Sequence, residues 1–245
     1  MLRKILHIVL ALLLLSYFAF AVAFMNPKAN IDKACTTMQI EVVENGETSY
    51  LSNAQVESFL KKANVNPVGK KMSAISTEFI EKALKEYKLI KDVESFKTVD
   101  GTVKIKVFQR IPVLRIISEK GNYYVDKEGQ IMPVPSNFAA YVPIATGNIS
   151  EGYAKDRLYS FALFLQSHKF WNKQIEQIHV APNLDIELTP RKGNHSIVLG
   201  KIENYEENLD KLALFYEKGL DKVGWNKYSI INLKYKNQVV CTKRE

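Results

Sequence analysis

The amino-terminal part of the chain contains an apolar run over 5–24, in which His7 and Ser16 are the clearly polar members. A helix of this length spans about 30 Å, the thickness of the hydrocarbon core of a bilayer. The run therefore predicts a transmembrane helix over 5–24, behind a short tail over 1–4. A cleaved signal peptide is the alternative, because Ala21-Val22-Ala23 resembles a small-x-small cleavage site, but signal peptides have apolar cores of only about 7 to 15 residues.

In the next block of the chain, apolar and polar residues first alternate with the period of a strand and then recur with the period of a helix. The predicted elements are a strand at 38–42, helices that begin at Ser52 and Ser76, and strands at 93–97 and 102–109. The first helix has the capping-box spacing of Ser52 and Gln55, and the last two strands flank a turn at Asp100-Gly101. The order strand, helix, helix, strand, strand predicts a small domain over 37–111, which follows a juxtamembrane linker over 25–36.

A second domain is predicted over 112–245, with mostly β structure and two or three helices. Its first residue, Pro112, forces the residue before it to be extended and marks the junction. Strands are predicted at 113–118, 175–180, 184–188 and 195–199, and a hairpin at 123–131 follows a predicted Gly121-Asn122 turn. Helices are predicted around 158–165 and 209–216. The second of these helices is predicted to be capped by Asn204 with Glu207 and ended by Gly219. The predicted fold class is therefore α+β.

In the carboxyl-terminal segment 228–242, mostly apolar positions alternate with mostly polar ones. The segment is long for one strand. Lys236-Asn237 suits a tight turn, so the segment predicts either a hairpin or a bent strand. As the last element of the chain it can easily lie at a sheet edge, where its main-chain groups stay open to another strand.

Composition narrows the classes of function. The net charge is +8, but the lysines are interspersed with acids and no aromatic ladder accompanies them, which argues against nucleic-acid binding. The two cysteines, Cys35 and Cys241, are either a disulfide pair or separate thiols, and they are too few for a metal site.

An exported enzyme is the rival class, because several polar side chains of catalytic type fall close together in the sequence. These are His179, Asp185, Glu187, His195 and Ser196. Their spacing matches no nucleophile, zinc or phosphate-loop motif. We therefore expect no catalytic residues, no cofactor, no metal and no small-molecule substrate.

Four segments of the chain are more specific indicators of a protein family than the general order of strands and helices. They are the junction 107–115, the hairpin 123–129, the segment 142–147 and the late segment 231–235. Together they resemble the FtsQ/DivIB family of bacterial cell-division proteins, over nearly the whole chain. The resemblance implies a single-pass anchor in the inner membrane, a POTRA domain and a mostly β domain. It also implies a non-enzymatic divisome scaffold at the septum, with a cytoplasmic amino terminus and periplasmic domains.

The resemblance further implies partners and a binding site. Family members recruit the coiled-coil membrane proteins FtsB and FtsL, and the resemblance implies that the partner adds a strand to the last β edge. Carried over to this chain, the partner-binding residues are Lys234, Tyr235, Gln238, Val239 and Val240. Relatives place an arginine before the tyrosine, whereas Lys234 keeps the charge but lacks the bidentate fork. Tyr235 shares the parity of Ile231 and Leu233, so a core position is its alternative.

The residues expected to fix the geometry between the two domains are Gln109, Arg110, Pro112 and Arg115. The alternative function is that of a POTRA-type periplasmic chaperone or assembly factor for exported proteins, which would use the same strand pairing on many clients. Repeated POTRA units would favour that alternative, whereas the sequence contains one.

Overall fold

The computed structural model describes residues 2–24, 33–43, 49–136 and 138–245. These residues fall into two compact units. The first unit lies within Met1–Val43, Leu51–Tyr87 and Asp92–Phe108, and the second lies within Glu44–Tyr50, Lys88–Lys91 and Gln109–Glu245. The predicted linker over 25–36 lies mostly outside the described residues.

The chain begins with helix α1, Leu2–Phe24, whose described side chains are almost all exposed. In the ranges that the structure describes, no helix is both long and apolar enough to cross a membrane. The transmembrane helix predicted over 5–24 is therefore not confirmed by the structure.

Apart from α1, the first unit combines two helices with a three-stranded sheet, in the predicted order. Its elements are β1 (Thr37–Val43), α2 (Asn53–Lys62), α3 (Thr77–Lys85), β2 (Ile90–Lys97) and β3 (Thr102–Gln109). The strands lie in the order β1-β3-β2, with β1 parallel to β3. A parallel pair needs a long connection between its strands, and the two helices are part of that connection.

The helix starts and the core of this unit follow the sequence pattern. The Ser52 hydroxyl accepts a hydrogen bond from the main-chain N–H of Gln55, which completes the predicted capping box. Ser76 caps α3 in the same way, through the N–H of Phe79. One set of apolar residues from the helices and β3 forms the buried core, namely Val56, Leu60, Ile80, Leu84, Val103, Ile105 and Val107.

The second unit is built on one nine-stranded sheet. Its strands are β4 (Pro112–Ser118), β5 (Gly121–Asp126), β6 (Ile131–Met132), β7 (Ile144–Gly147), β8 (Ile175–Val180), β9 (Ile186–Pro190), β10 (Ser196–Gly200), β11 (Tyr228–Asn232) and β12 (Val240–Lys243). They lie in the order β12-β11-β10-β9-β8-β7-β4-β5-β6. β7 runs parallel to both β4 and β8 near the middle of the sheet. The sequence predicts no strand there, since four residues carry too little periodicity.

Helices of the second unit share one core with this sheet. They are α4 (Glu151–Tyr153), α5 (Tyr159–Ser167), α6 (Lys169–Gln174), α7 (Tyr205–Phe215) and α8 (Asp221–Val223). A π-helical turn, Tyr216–Leu220, joins α7 to α8. Phe161 of α5, Leu212 of α7 and Ile231 of β11 all belong to the same buried cluster. The strand next to the sheet edge is therefore fixed by core packing.

Three local predictions in this unit are wrong. The turn after β4 lies at 119–120 rather than at Gly121-Asn122, because Gly121 already belongs to β5. Asn204 makes no side-chain capping bond to α7. The last helix passes through Gly219 and ends at Gly224, where a φ of +93° favours glycine.

Candidate partner-binding edge

The segment 228–242 forms a hairpin at one end of the nine-stranded sheet. β11 pairs with β10 on one side and with β12 on the other. Asn237 in the connecting turn has a φ of +58°, a left-handed conformation that asparagine tolerates. The hairpin alternative is thus confirmed, with its turn at the predicted Lys236-Asn237.

The outer side of β12 is open. Within the described ranges, β11 is its single strand neighbour. The N–H of Arg244 donates to the carbonyl of Lys227 at 3.0 Å, on the β11 side. Because successive residues of a strand direct their main-chain groups to opposite sides, those of Cys241 and Lys243 point away from β11. These groups form the open edge that a partner strand needs.

A groove of about 780 Å³ lies beside the hairpin turn, where α7 and its π-helical turn face residues 237–239. Leu214, Phe215 and Val239 supply apolar surface, and the charged residues that line it are Glu207, Asp210, Lys211 and Lys218. A Cβ at Gly219 would lie 3.0 Å from the Phe215 ring, so a larger residue at this position would require the ring to shift. An apolar groove with a polar rim suits a large apolar side chain.

Lys234, just before the turn, forms an ion pair inside the molecule. Its Nζ lies 2.7 Å from Asp185 Oδ2, and the Nζ of Lys201 lies 3.1 Å from Oδ1. Hydrogen bonds from Lys234 and then from Lys201 lower the pKa of Asp185, and the bond to Asp185 raises the pKa of Lys234. The contact with Lys234 therefore favours the ionised carboxylate of Asp185 and the protonated ammonium of Lys234.

Lys211 of α7 holds the main chain on either side of Lys234. Its Nζ donates to the carbonyl of Leu233 at 2.9 Å and to that of Tyr235 at 3.1 Å. Leu233 is buried, whereas Tyr235 is 52% exposed. Tyr235 is therefore not a core residue, because the chain leaves strand geometry after β11 and the predicted parity no longer applies.

The hairpin places the five predicted partner-binding residues at one end of the sheet, in different settings. Val240 starts β12 and is 44% exposed. Tyr235 is exposed at the turn, and Gln238 and Val239 line the groove. Lys234 is engaged in the ion pair described above. Partner contact by these residues stays a prediction.

The predicted junction residues lie at the start of the second unit. Pro112 and Arg115 belong to β4, and Gln109 and Arg110 lie just before it. The Oε1 of Gln109 accepts a hydrogen bond from the N–H of Tyr50 at 3.2 Å. Arg110 forms a 2.6 Å ion pair with the buried carboxylate of Asp126. These contacts lie within the second unit, and a role between the domains stays a prediction.

The residues of the enzyme alternative have separate partners. His179 Nδ1 lies 3.1 Å from the hydroxyl of Thr146, whereas His195 Nε2 lies 2.8 Å from the hydroxyl of Tyr216. Burial lowers the pKa of His195, and Asp185 is paired with two lysines. No group of His, Cys, Asp and Glu within the described residues is arranged to hold a metal ion.

The two cysteines are free thiols. Cys35 is buried, and Cys241 is half-buried in β12. Burial raises the pKa of the Cys241 thiol. Of the two alternatives for this pair, the structure shows separate thiols.

Comparison with known protein families agrees with this architecture. A family model described as FtsQ/DivIB, C-terminal related, matches residues 111–242, more than half of the chain. The chain belongs to the FtsQ/DivIB family. A second model, described as a POTRA-like domain, matches residues 33–108. No significant match was found among curated proteins.

Family membership confirms the resemblance drawn from the sequence. The FtsQ/DivIB match extends to residue 242 and therefore includes β11 and most of β12. The POTRA-like match covers the first unit's two helices and three strands almost completely. The domain bounds 37–111 and 112–245 stay a prediction.

Three features of this edge were not predicted from the sequence. They are the groove, the Lys211 contacts and the ion pair of Lys234 with Asp185. Gly219 lines the groove and Gly200 lies against the Lys234 side chain. Gly200, next to the strand predicted at 195–199, offered a sequence signal for the Lys234 contact, since glycine in a strand often marks the close approach of another group.

Proposed function

We propose that this chain is a non-enzymatic scaffold of the division machinery that recruits or stabilises FtsB- and FtsL-like proteins at the septum. The partner adds a strand to β12. The open side of β12 carries this proposal, because a scaffold that works by strand addition requires an edge that its own sheet leaves unpaired.

Two further observations support strand addition at this place. Outward main-chain groups of Cys241 and Lys243 provide hydrogen bonds that any partner strand satisfies, so they supply affinity rather than specificity. The adjacent groove is lined by residues 237–239 of the turn that leads into β12. Apolar residues in the partner strand would fill it and supply specificity.

The proposal also includes a location. Family membership supports a septal, membrane-associated division protein. We place the amino terminus in the cytoplasm and both units in the periplasm, where membrane proteins with extracytoplasmic coiled coils meet them. Reporter fusions at the two termini, one active in the cytoplasm and one outside it, test this orientation.

Photocrosslinking in cells tests the proposed function. A crosslinking amino acid replaces Lys243 at the open edge, and a control replaces Gln130, an exposed residue near β6 at the other end of the same sheet. We expect position 243 to crosslink to small coiled-coil division proteins and position 130 not to do so. Equal labelling from both positions would contradict an edge-specific site.

The same experiment separates the scaffold from the chaperone alternative. The POTRA-like match and the two edge strands of the first unit, β1 and β2, keep that alternative open. A chaperone or assembly factor would crosslink to a broad set of exported proteins. A defined pair of partners instead supports the scaffold.

A further inference from the structure

Lys234, one of the predicted partner-binding residues, forms an ion pair with the buried carboxylate of Asp185. Asp185, its acceptor, is only 8% exposed and lies 49 residues earlier in the chain. Both carboxylate oxygens are occupied, one by Lys234 and the other by Lys201. The ammonium of Lys234 thus already has an acidic partner in the isolated molecule.

The backbone around Lys234 is shaped for this contact. Gly200 has a φ of +86°, and a Cβ there would lie 2.7 Å from Lys234 Cγ. The aliphatic stem of the lysine therefore passes directly over the glycine. The main-chain N–H of Lys234 donates to Asn232 Oδ1 at 3.0 Å, so the residue is held at its main chain and at the end of its side chain.

Lys211 holds the neighbouring residues. It binds the carbonyls of Leu233 and Tyr235 at 2.9 and 3.1 Å, while Lys234 binds Asp185. The two lysines therefore fix three consecutive residues between the buried end of β11 and the turn. Tyr235, an exposed member of the predicted site, is presented by a fixed main chain.

We propose that Lys234 is a positioning residue, which holds the hairpin through Asp185 and does not bind a carboxylate of the partner. This inference rests on the proposed function, since the hairpin it orders is the proposed docking edge. When the hairpin is already ordered before association, binding has a smaller loss of conformational entropy to offset. Loss of the contact should therefore weaken partner binding, although Lys234 touches no partner atom.

Hydrogen exchange on the full-length chain tests the positioning step without any partner. The variants are Lys234→Met, Asp185→Asn, their combination, Lys234→Arg, and Lys236→Met as a matched control from the same turn. We expect amides of residues 233–243 to exchange about three- to tenfold faster in the first two variants, from the size of one charge-assisted hydrogen bond at a partly exposed site. The arginine variant should restore protection, and the Lys236 variant should not change it. Unchanged exchange in both of the first two variants would overturn the proposal.

Affinity for the protein that crosslinks at position 243 tests the second step. Positioning predicts that Asp185→Asn weakens binding as Lys234→Met does, and that the double variant is no weaker than either single one. A direct partner contact predicts the opposite, since removing Asp185 would free the lysine and leave affinity unchanged or tighter. That result would refute the positioning role while leaving the edge model intact. If no protein crosslinks at position 243, the proposed function fails, and the exchange data still judge the contact itself.

Discussion

Replacing Cys241 by proline removes one outward main-chain donor from β12 and no bond to β11. Edge strands tolerate proline on the side that faces solvent, so folding should be little affected. Two controls bracket this change. Cys241→Ala alters the same side chain but keeps the N–H, whereas Thr242→Pro removes an N–H that points toward β11.

The size of the effect follows from the geometry of the edge. The lost inter-chain hydrogen bond has a net worth of about 0.5–1.5 kcal/mol, and a buried partner carbonyl left without a donor costs about 1–3 kcal/mol. Because the proline leaves the partner carbonyl without a donor, the second figure applies, and a loss of about 1–3 kcal/mol weakens affinity about 5- to 150-fold. Thr242→Pro should lower stability as well, because it breaks the hairpin's own ladder.

Titration of the crosslinked partner against each full-length variant, with thermal unfolding in parallel, separates these outcomes. We expect Cys241→Pro to unfold at nearly the same temperature as Cys241→Ala and to bind much more weakly. Equal affinity of these two folded variants would refute strand addition at β12, whatever the behaviour of Thr242→Pro.

Three further outcomes concern stability and are measured by denaturant unfolding. Leu212→Ala removes a fully buried side chain of α7 and should cost about 2–5 kcal/mol, whereas an exposed-site change such as Lys236→Ala should cost little. Ser52→Ala removes the cap of α2 and should cost about 0.5–2 kcal/mol, with Ser52→Asp restoring most of it. Because the pKa of His195 is lowered by burial, the unfolded chain binds more protons below about pH 6.5, so stability should fall as pH drops through that value. His195→Gln should make that fall shallower, and an unchanged slope would contradict the assignment.

Local signals in the sequence predicted much of the fold. The strand predicted at 175–180 matches Ile175–Val180, and α2 begins at its predicted capping box. Such features depend on neighbouring residues alone, since a cap or a periodic run is complete within one segment. The errors at Asn204 and Gly219 arose where a 3-10 turn, Ile202–Asn204, precedes α7 and where the π-helical turn continues it.

The sequence by itself determined the family, the order of elements and the terminal hairpin, because each of these lies in contiguous residues. Only the tertiary structure decided that β12 is an outer strand, since strand order depends on which segments pair across long separations. It also decided that Lys234 meets Asp185 across 49 residues and that α7 and its π-helical turn form a groove with the turn. No local pattern specifies such contacts, because they exist only after the sheet and its helices have packed.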